Sequence, residues 1–159
     1  MDILTSKGKK TVEQEQEAIK IWNSKYPSII YNETPKKKPA DIDAILINEK
    51  KEIVGVVETK CRVSMSLDKF YNFYSGKWLV TFEKIMKAVS VSKSIYVPLV
   101  GFLYFPDEKT LLVQKIFDPE NGFCVAFDVR HTETQASVNG GLIYRDNAYI
   151  DMNKSKVLK

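Results

Sequence analysis

Three residues in two short segments have the types and the spacing that phosphodiester chemistry needs. Asp43 opens the apolar segment DAILI, and Glu58 and Lys60 close the apolar segment IVGVVETK. Two carboxylates can hold Mg²⁺, which prefers oxygen ligands, and the bound metal offsets charge that develops on a phosphate. An ammonium group beside them can position or help deprotonate the attacking water. The three side chains therefore predict a site of metal-dependent phosphodiester hydrolysis.

Pairing of the two segments would assemble this site. Both are predicted strands, and the polar residues Asn48 to Lys51 between them form a predicted turn. Side chains alternate along a strand, so Glu58 and Lys60 share one face, roughly 7 Å apart. An antiparallel pair through the turn would place Asp43 beside Glu58. The alternative interpretation is a structural salt bridge between Glu58 and Lys60 at the end of the strand.

A further acidic residue comes from the first predicted helix, Thr11 to Tyr26. At about 100° per residue from Ile19, Glu15 lies near −40°, within the apolar stripe of the helix. Glu13 and Glu17 fall on the side predicted to face solvent. We therefore expect Glu15 to face the interior. The alternative is a glutamate at the edge of the stripe that reaches water.

The remaining periodicity predicts a mixed α/β fold. The segment Ile53 to Cys61 is apolar on both of its alternating faces, which is typical of a central strand. Other predicted elements are strands over Ser28–Tyr31, Asp43–Ile47, Tyr96–Phe105, Leu111–Ile116, Phe123–Val129 and Leu142–Tyr144, and a helix over Thr81–Ser92. The stretch from Asp68 to Trp78 fits no single pattern. Helices and strands in this order are typical of one mixed α/β domain, which we place over residues 1–159.

Composition narrows the classes of chemistry. The chain has 159 residues, 44% of them hydrophobic, and a net charge of +4, which permits a polyanionic partner without requiring one. Two cysteines and one histidine argue against a disulfide framework and against a zinc site. The first residues carry no apolar run typical of a signal peptide, and the longest apolar stretch is too short to span a membrane. We therefore expect a cytoplasmic protein with no membrane partner.

The motifs resemble those of a known superfamily. Glu15-x-x-Ala18 on the first helix, then P-A-D-I-D-A-I-L-I and V-G-V-V-E-T-K-C-R, are similar to the motifs of PD-(D/E)XK nucleases. That superfamily includes restriction endonucleases, Holliday-junction resolvases and phage nucleases. The motifs cover about residues 10 to 62, and beyond them only the order of elements agrees. The resemblance implies a restriction-endonuclease-like fold, in which α-helices flank a mixed central β-sheet.

The resemblance also implies roles for individual residues. Asp43 and Glu58 would bind the metal, Mg²⁺ or Mn²⁺, with the backbone carbonyl of Thr59 as a third ligand. Lys60 would be the catalytic lysine. Glu15 would match the helix glutamate that many members use to support a metal or its water, and we count it among the catalytic and metal-binding candidates.

The first motif departs from the pattern of the superfamily. Pro39 is not followed directly by the key acid, and both Asp41 and Asp43 are available. The two share a strand face, so alternation does not choose between them. We prefer Asp43 because it lies between Ile42 and Ala44, inside the apolar strand. Asp41 is then expected to support the site without binding the metal.

Cations near the predicted site could dock a phosphate backbone. Those predicted to bind nucleic acid are Lys36, Lys37, Lys38 and Arg62. For the lysine run the alternative is an ordinary solvated loop. Lys84 and Lys87 share the face of the second helix that is predicted to be exposed, and we expect them to be solvated.

A dense aromatic stretch follows the predicted active-site strand. It consists of Phe70, Tyr71, Phe73, Tyr74 and Trp78. Nucleic-acid bases could stack on such rings. Packing in the core is the commoner role of an aromatic cluster, and we expect it here.

Together these features predict a metal-dependent deoxyribonuclease. DNA is the expected partner, and a homodimer is compatible with the size of the chain. A small nuclease of this kind would suit a phage or a mobile element. Two alternatives from other classes remain: a non-catalytic nucleic-acid-binding module of the same fold, and a structural or assembly protein whose strand-end charges merely pair.

Overall fold

The chain folds into a mixed α/β structure with a mixed central sheet, as the sequence predicts. The computed structural model describes residues 6–35, 40–135 and 141–159. The helices in these ranges are α1 (Ser6–Lys25), α2 (Leu67–Asn72) and α3 (Phe82–Ile95). The strands are β1 (Ile30–Glu33), β2 (Ala44–Ile47), β3 (Ile53–Cys61), β4 (Lys77–Thr81), β5 (Leu99–Phe105), β6 (Thr110–Asp118), β7 (Gly122–Phe123), β8 (Phe127–Gln135), β9 (Leu142–Asp151) and β10 (Lys156–Leu158). None of the described helices is long and apolar enough to cross a membrane.

Strand β3 lies inside the larger sheet. The described strands of that sheet run in the order β1-β2-β3-β5-β6-β10, and β7 pairs with β6. β3 is antiparallel to β2 and parallel to β5. Its residues 55–59 are buried without interruption, as expected for a strand that is covered on both faces. The prediction of a central strand over Ile53–Cys61 is confirmed.

Alternation along β3 separates two layers of packing. Val57 belongs to the apolar cluster that contains Ala18 and Trp22 of α1. Val56 belongs to a second cluster, which includes Ile85 and other residues of α3. Burying a side chain of this kind contributes about 1.5–3 kcal/mol, so these contacts hold a helix against each face of the sheet. Glu58, two residues after Val56, projects toward α3.

A second sheet packs on the α3 side. Its described strands run in the order β4-β9-β8, all antiparallel. The β8–β9 pairing extends from Phe127 opposite Ile150 to Gln135 opposite Leu142, so the strand predicted over 142–144 was too short. The strand predicted over 123–129 joined the end of β7 to the beginning of β8, which are separate strands. Polar residues occupy much of this ladder and hide the apolar pattern on which the prediction depended. Trp78 of β4, only 1% exposed, anchors the sheet in the cluster that α3 also enters.

The aromatic stretch after β3 divides between core and surface. Phe70 and Trp78 are buried, as expected, whereas Phe73 and Tyr74 are 73% and 43% exposed. A tight turn separates α2 from β4, and Ser75 and Gly76 both have positive φ. This turn explains why the stretch fits neither a helical nor a strand pattern.

Helix α1 begins earlier than predicted and buries a slightly different face. Its most buried side chains are Gln14, Ala18 and Trp22. Glu13 is exposed, as predicted. Glu17 was predicted to face solvent; its side chain is 40% exposed, and its Oε2 also accepts a hydrogen bond from the Tyr104 hydroxyl at 2.8 Å.

Candidate active site

The β2–β3 hairpin holds the side chain of Asp43 against β3. The backbone N–H of Asp43 donates to the carbonyl oxygen of Val57 at 2.9 Å. The backbone N–H of Thr59 donates to Asp43 Oδ2 at 2.8 Å. These two bonds join Asp43 to the residues before and after Glu58 and so hold it beside Glu58. The predicted proximity of Asp43 to Glu58 is confirmed.

Glu58 is a buried carboxyl group in an apolar layer. Its side chain is 1% exposed. Burial raises the pKa of Glu58, and the negative charge of Asp43 raises it further, to about 8. Among the described residues, Oε2 has no hydrogen-bond partner. Since a bare buried carboxylate costs several kcal/mol, the position favours a bound proton or a bound cation.

Lys84, from the first turn of α3, supplies a cation that the sequence did not predict at this site. Its Nζ lies 2.7 Å from Glu58 Oε1 and 3.9 Å from Asp43 Oδ1. The closer contact is a short ion pair with a buried carboxylate. Desolvation lowers the pKa of Lys84, but the charges of Asp43 and Glu58 outweigh it and raise this pKa overall. The prediction that Lys84 is merely solvated was wrong, because its long side chain reaches back over the sheet.

Lys60 lies on the same face as Glu58, at the mouth of the site. The structural alternative, an ion pair between Glu58 and Lys60, is not among the ion pairs of the described residues, and Lys84 makes that contact instead. The side chain of Lys60 reaches solvent, but it also lines the cavity beside Glu58. Desolvation lowers the pKa of Lys60, as do the neighbouring charges of Arg62 and Lys84.

The structure places the other candidate residues around this centre. Glu15 is half-buried on α1, on the opposite side of the sheet, and its negative charge acts on both Lys84 and Tyr31. The Thr59 hydroxyl also faces α1 and lies 2.8 Å from the hydroxyl of buried Tyr31. Asp41 is exposed, so Asp43 is the acid that lies beside Glu58.

The structure describes one of the four cations that were predicted to bind nucleic acid. Lys36, Lys37 and Lys38 lie outside the described residues. Arg62 is within them and lies next to the site. Its Nη2 donates to the backbone oxygen of Leu79 on β4 at 2.8 Å, which fixes the guanidinium between the two sheets. Burial lowers the pKa of Arg62.

A basic cavity of about 230 Å³ opens beside Glu58. Residues of both sheets and of α3 line it, among them four cations: Lys60, Arg62, Lys84 and Arg145. Glu58 is the one carboxylate among its lining residues. This excess of positive charge attracts an anion. A phosphate group fits here because it can bind to these cations and to a metal on the carboxylates at the same time.

Two residues of this cavity were missed by sequence reasoning, Arg145 and Asn147 of β9. Asn147 is 1% exposed, and its amide group donates to Thr132 Oγ1 at 2.8 Å. Its Oδ1 is buried and has no hydrogen-bond partner among the described residues. Arg145 and Asn147 are two positions apart and therefore share a strand face. That spacing was the only signal available, and it does not reveal that β9 lines the same cavity as β3.

The donors at this centre fit a hard divalent cation that keeps water or substrate ligands. Asp43 Oδ2 accepts the backbone hydrogen bond from Thr59, which leaves Asp43 Oδ1 and Glu58 Oε2 as the oxygens that could bind a cation. Among the described residues no group of three or more His, Cys, Asp or Glu forms a complete metal cage. Mg²⁺ is commonly bound by one or two carboxylates together with phosphate oxygens and water, so two carboxylates are sufficient.

Comparisons with known proteins place no outside constraint on the site. No family model matches the chain, and no curated protein and no solved structure matches it significantly.

Proposed function

We propose that this protein is a metal-dependent deoxyribonuclease with a restriction-endonuclease-like fold. The observation that carries the proposal is the position of Glu58 and Lys60 in a cavity whose charged lining residues are four cations and one carboxylate, with Asp43 held beside Glu58. The high pKa of Glu58 supports it, because a metal would relieve the charge repulsion and desolvation that cause this shift. Perturbed carboxyl groups of this kind are concentrated at functional sites.

Each group has a distinct task in the proposed reaction. Asp43 and Glu58 would hold the metal, Mg²⁺ or Mn²⁺, which supplies Lewis-acid charge at the phosphate. The lowered pKa of Lys60 makes its neutral form more accessible, so Lys60 can orient a water molecule and accept a proton from it. Arg62 and Arg145 would hold the phosphate oxygens on the other side of the cavity. Glu15, on the other side of the sheet, would act on the site through its negative charge alone.

Lys84 would compete with a metal for the carboxylates of Asp43 and Glu58. Its ammonium lies close to both carboxylates and partly neutralises them. The side chain of Lys84 is 47% exposed but that of Glu58 is 1% exposed, so the ammonium can leave for solvent or for a substrate phosphate when a metal or a proton takes its place on Glu58. We infer that metal and Lys84 exchange places, and that the displaced ammonium then faces the bound phosphate.

The same contact favours one alternative. If the ion pair of Lys84 with Glu58 is permanent, the chain is a nucleic-acid-binding module that neither binds metal nor cleaves. Such a module would still bind DNA through its cationic cavity, with an affinity that falls steeply as salt is added. A purely structural protein would show neither cleavage nor this salt dependence.

Nicking of supercoiled plasmid and cleavage of circular single-stranded DNA, each in Mg²⁺ and in Mn²⁺, test the proposal. The informative variants are Asp43→Asn and Lys60→Ala, and matched controls are Glu49→Gln and Lys50→Ala in the exposed β2–β3 turn. We expect wild type and both controls to cleave DNA, and each site variant to lose at least about a hundredfold in rate. Thermal melting and DNA binding should be nearly unchanged in the Lys60 variant. Full activity in both site variants would overturn the assignment, and wild-type binding without cleavage of either DNA would favour the module.

A further inference from the structure

A second cavity adjoins the candidate active site and has a different chemistry. This groove, of about 620 Å³, is lined by Arg62, Leu79, aromatic residues of the α2–β4 segment, and Arg130 and Tyr149 of the second sheet. Arg62 and Leu79 line the catalytic cavity as well, so the two spaces are neighbours with a shared wall. The volume falls in the range of about 300–1,000 Å³ that is typical of pockets for small molecules or single nucleotides.

Aromatic faces in this groove are open to solvent. Phe73 is 73% exposed and Tyr74 43% exposed, and their ring centroids lie 4.9 Å apart in an edge-to-face arrangement. The guanidinium of Arg130 lies 4.6 Å from the ring centroid of Tyr149. Flat aromatic and guanidinium surfaces of this kind are those on which unpaired bases stack.

The exposed rings are held in place by a rigid turn. The N–H of Gly76 donates to the Phe70 carbonyl at 2.9 Å, and Asn153 Nδ2 donates to the Ser75 carbonyl at 2.9 Å. Gly76 has φ of +66°, and a Cβ there would lie 2.4 Å from Asn153 Oδ1, so this geometry requires glycine. The two rings are therefore kept at the surface by the backbone, although their burial would be favourable.

The charge of the groove is complementary to a nucleic-acid strand. Its lining contains Arg62, Lys77 and Arg130 and no carboxylate. Two acids lie close by: Asp151 is 3.7 Å from the ammonium of Lys77, and Asp128 is 3.5 Å from Arg130. Arg62 contacts neither of these acids and is turned toward the shared wall. Phosphate would be favoured there, with bases on the rings beyond it.

We propose that this groove binds one or two unpaired nucleotides next to the phosphodiester that is cleaved. The inference rests on the proposed function and adds the substrate class: nucleic acid with a single-stranded segment at the cleavage position. A fully paired duplex has its bases stacked inside and offers none to Phe73 or Tyr74. Binding of single strands and of duplexes with an overhang should therefore depend on these rings, and binding of a blunt duplex should not.

The test measures fluorescence anisotropy with labelled oligonucleotides of about 12 nucleotides, within the usual range of single-strand site sizes. The probes are oligo-dT, oligo-U, a blunt duplex and a duplex with an overhang, with Ca²⁺ in place of Mg²⁺ to prevent cleavage. The variant Phe73→Leu with Tyr74→Leu keeps apolar surface but removes both aromatic faces. Tyr96→Leu is the matched control: Tyr96 is 64% exposed and follows the last turn of α3, about 18 Å along the axis from Lys84.

We expect the double variant to bind the single-stranded and overhang probes about 5- to 150-fold more weakly, the cost of losing one stacked base. Its affinity for the blunt duplex should change less than twofold, and the Tyr96 control should behave as wild type. Unchanged affinity for single strands, or equal losses for all probes, would overturn the inference. If the double variant melts early, Arg130→Gln replaces it, with the same expected pattern. Oligo-dT and oligo-U together tell whether the groove prefers DNA or RNA.

A cleavage assay on the same probes separates the two proposals. Ring-dependent binding of single strands without metal-dependent cleavage would support the groove and overturn the nuclease. Cleavage of a blunt duplex that the double variant retains in full, with no ring-dependent binding of single strands, would support the nuclease and overturn the groove.

Discussion

The buried carboxyl group of Glu58 makes the stability of the metal-free protein depend on pH in a specific direction. An acid whose pKa is raised by folding keeps its proton to higher pH in the folded state, so unfolding releases a proton between the two pKa values. For Glu58 these values are the ordinary 4.5 and about 8. Its contribution to stability is therefore complete below about pH 4.5, falls as the pH rises, and is at its lowest above pH 8.

The variant Glu58→Gln removes this titration and keeps the shape of the side chain. Each pH unit in the interval corresponds to about 1.4 kcal/mol, so ionisation should destabilise the wild-type protein by about 4–5 kcal/mol between pH 4.5 and 8. The side chain is 1% exposed, so solvent screening reduces this little. We expect the free energy of unfolding of the variant to exceed that of wild type by several kcal/mol at pH 8.5 without metal.

Urea denaturation in EDTA from pH 5 to 8.5, followed by tryptophan fluorescence, measures this effect. The quantity of interest is the difference between wild type and variant at each pH, since all other groups titrate in both proteins. Glu49→Gln, which removes an exposed carboxylate in the β2–β3 turn, should show no such pH dependence. A difference between wild type and Glu58→Gln that stays constant to within about 0.5 kcal/mol across the range would refute the reasoning.

The same experiment with Mg²⁺ connects stability to the proposed metal site. A metal ligand must lose its proton, so Mg²⁺ affinity should rise about tenfold per pH unit up to about pH 8 and then level off. Saturating Mg²⁺ should therefore stabilise wild type at pH 8.5 but not the Glu58→Gln variant. Equal stabilisation of both proteins would show that the metal binds elsewhere.

Three further predictions follow from other contacts. Lys84→Ala removes the ammonium that competes for both carboxylates, so calorimetry should show Mg²⁺ binding several-fold tighter than in wild type; weaker binding would mean that Lys84 assists the metal. Gly101→Ala places a Cβ 2.6 Å from the ring of Trp78 and 2.7 Å from Ile116 Cδ1, so denaturation should show a loss of about 1–3 kcal/mol, and an unchanged midpoint would contradict this packing. Arg145→Gln should reduce the slope of log affinity for DNA against log salt by about one phosphate contact, and an unchanged slope would remove Arg145 from the phosphate site.

The acidic half of the candidate site could be predicted because it is local in sequence. Asp43 and Glu58 belong to one hairpin, and its polar turn and apolar strands determine which residues face each other. The strand Ile53–Cys61 is apolar on both faces, and this pattern is strong enough to give its bounds. The α/β class follows from the same kind of local periodicity.

Two of the four cations, Lys84 and Arg145, could not be predicted at the site because their positions depend on long-range packing. Arg145 and Asn147 enter the cavity through the second sheet, and no local pattern indicates that β9 lines the same cavity as β3. Lys84 lies on a predicted helix whose apolar stripe was recognised, but a helical angle describes the direction of Cβ only. The end of a lysine side chain lies several ångströms away and can reach a buried carboxylate.

The parallel pairing of β3 with β5 has a consequence for the order in which the site assembles. Parallel strands need a long crossover, and this one, residues 62–98, contains β4, which pairs with β9 near the end of the chain. The two carboxylates and Lys60 can meet as soon as the β2–β3 hairpin forms, whereas Arg145 arrives only with the pairing of β4 and β9, which is distant in sequence and forms slowly. During refolding the carboxylates should therefore meet before the basic cavity around them is complete, and pulsed hydrogen exchange should protect the amides of β2 and β3 earlier than those of β9. Divalent metal added at that stage would then bind an incomplete site and could accelerate the remaining steps.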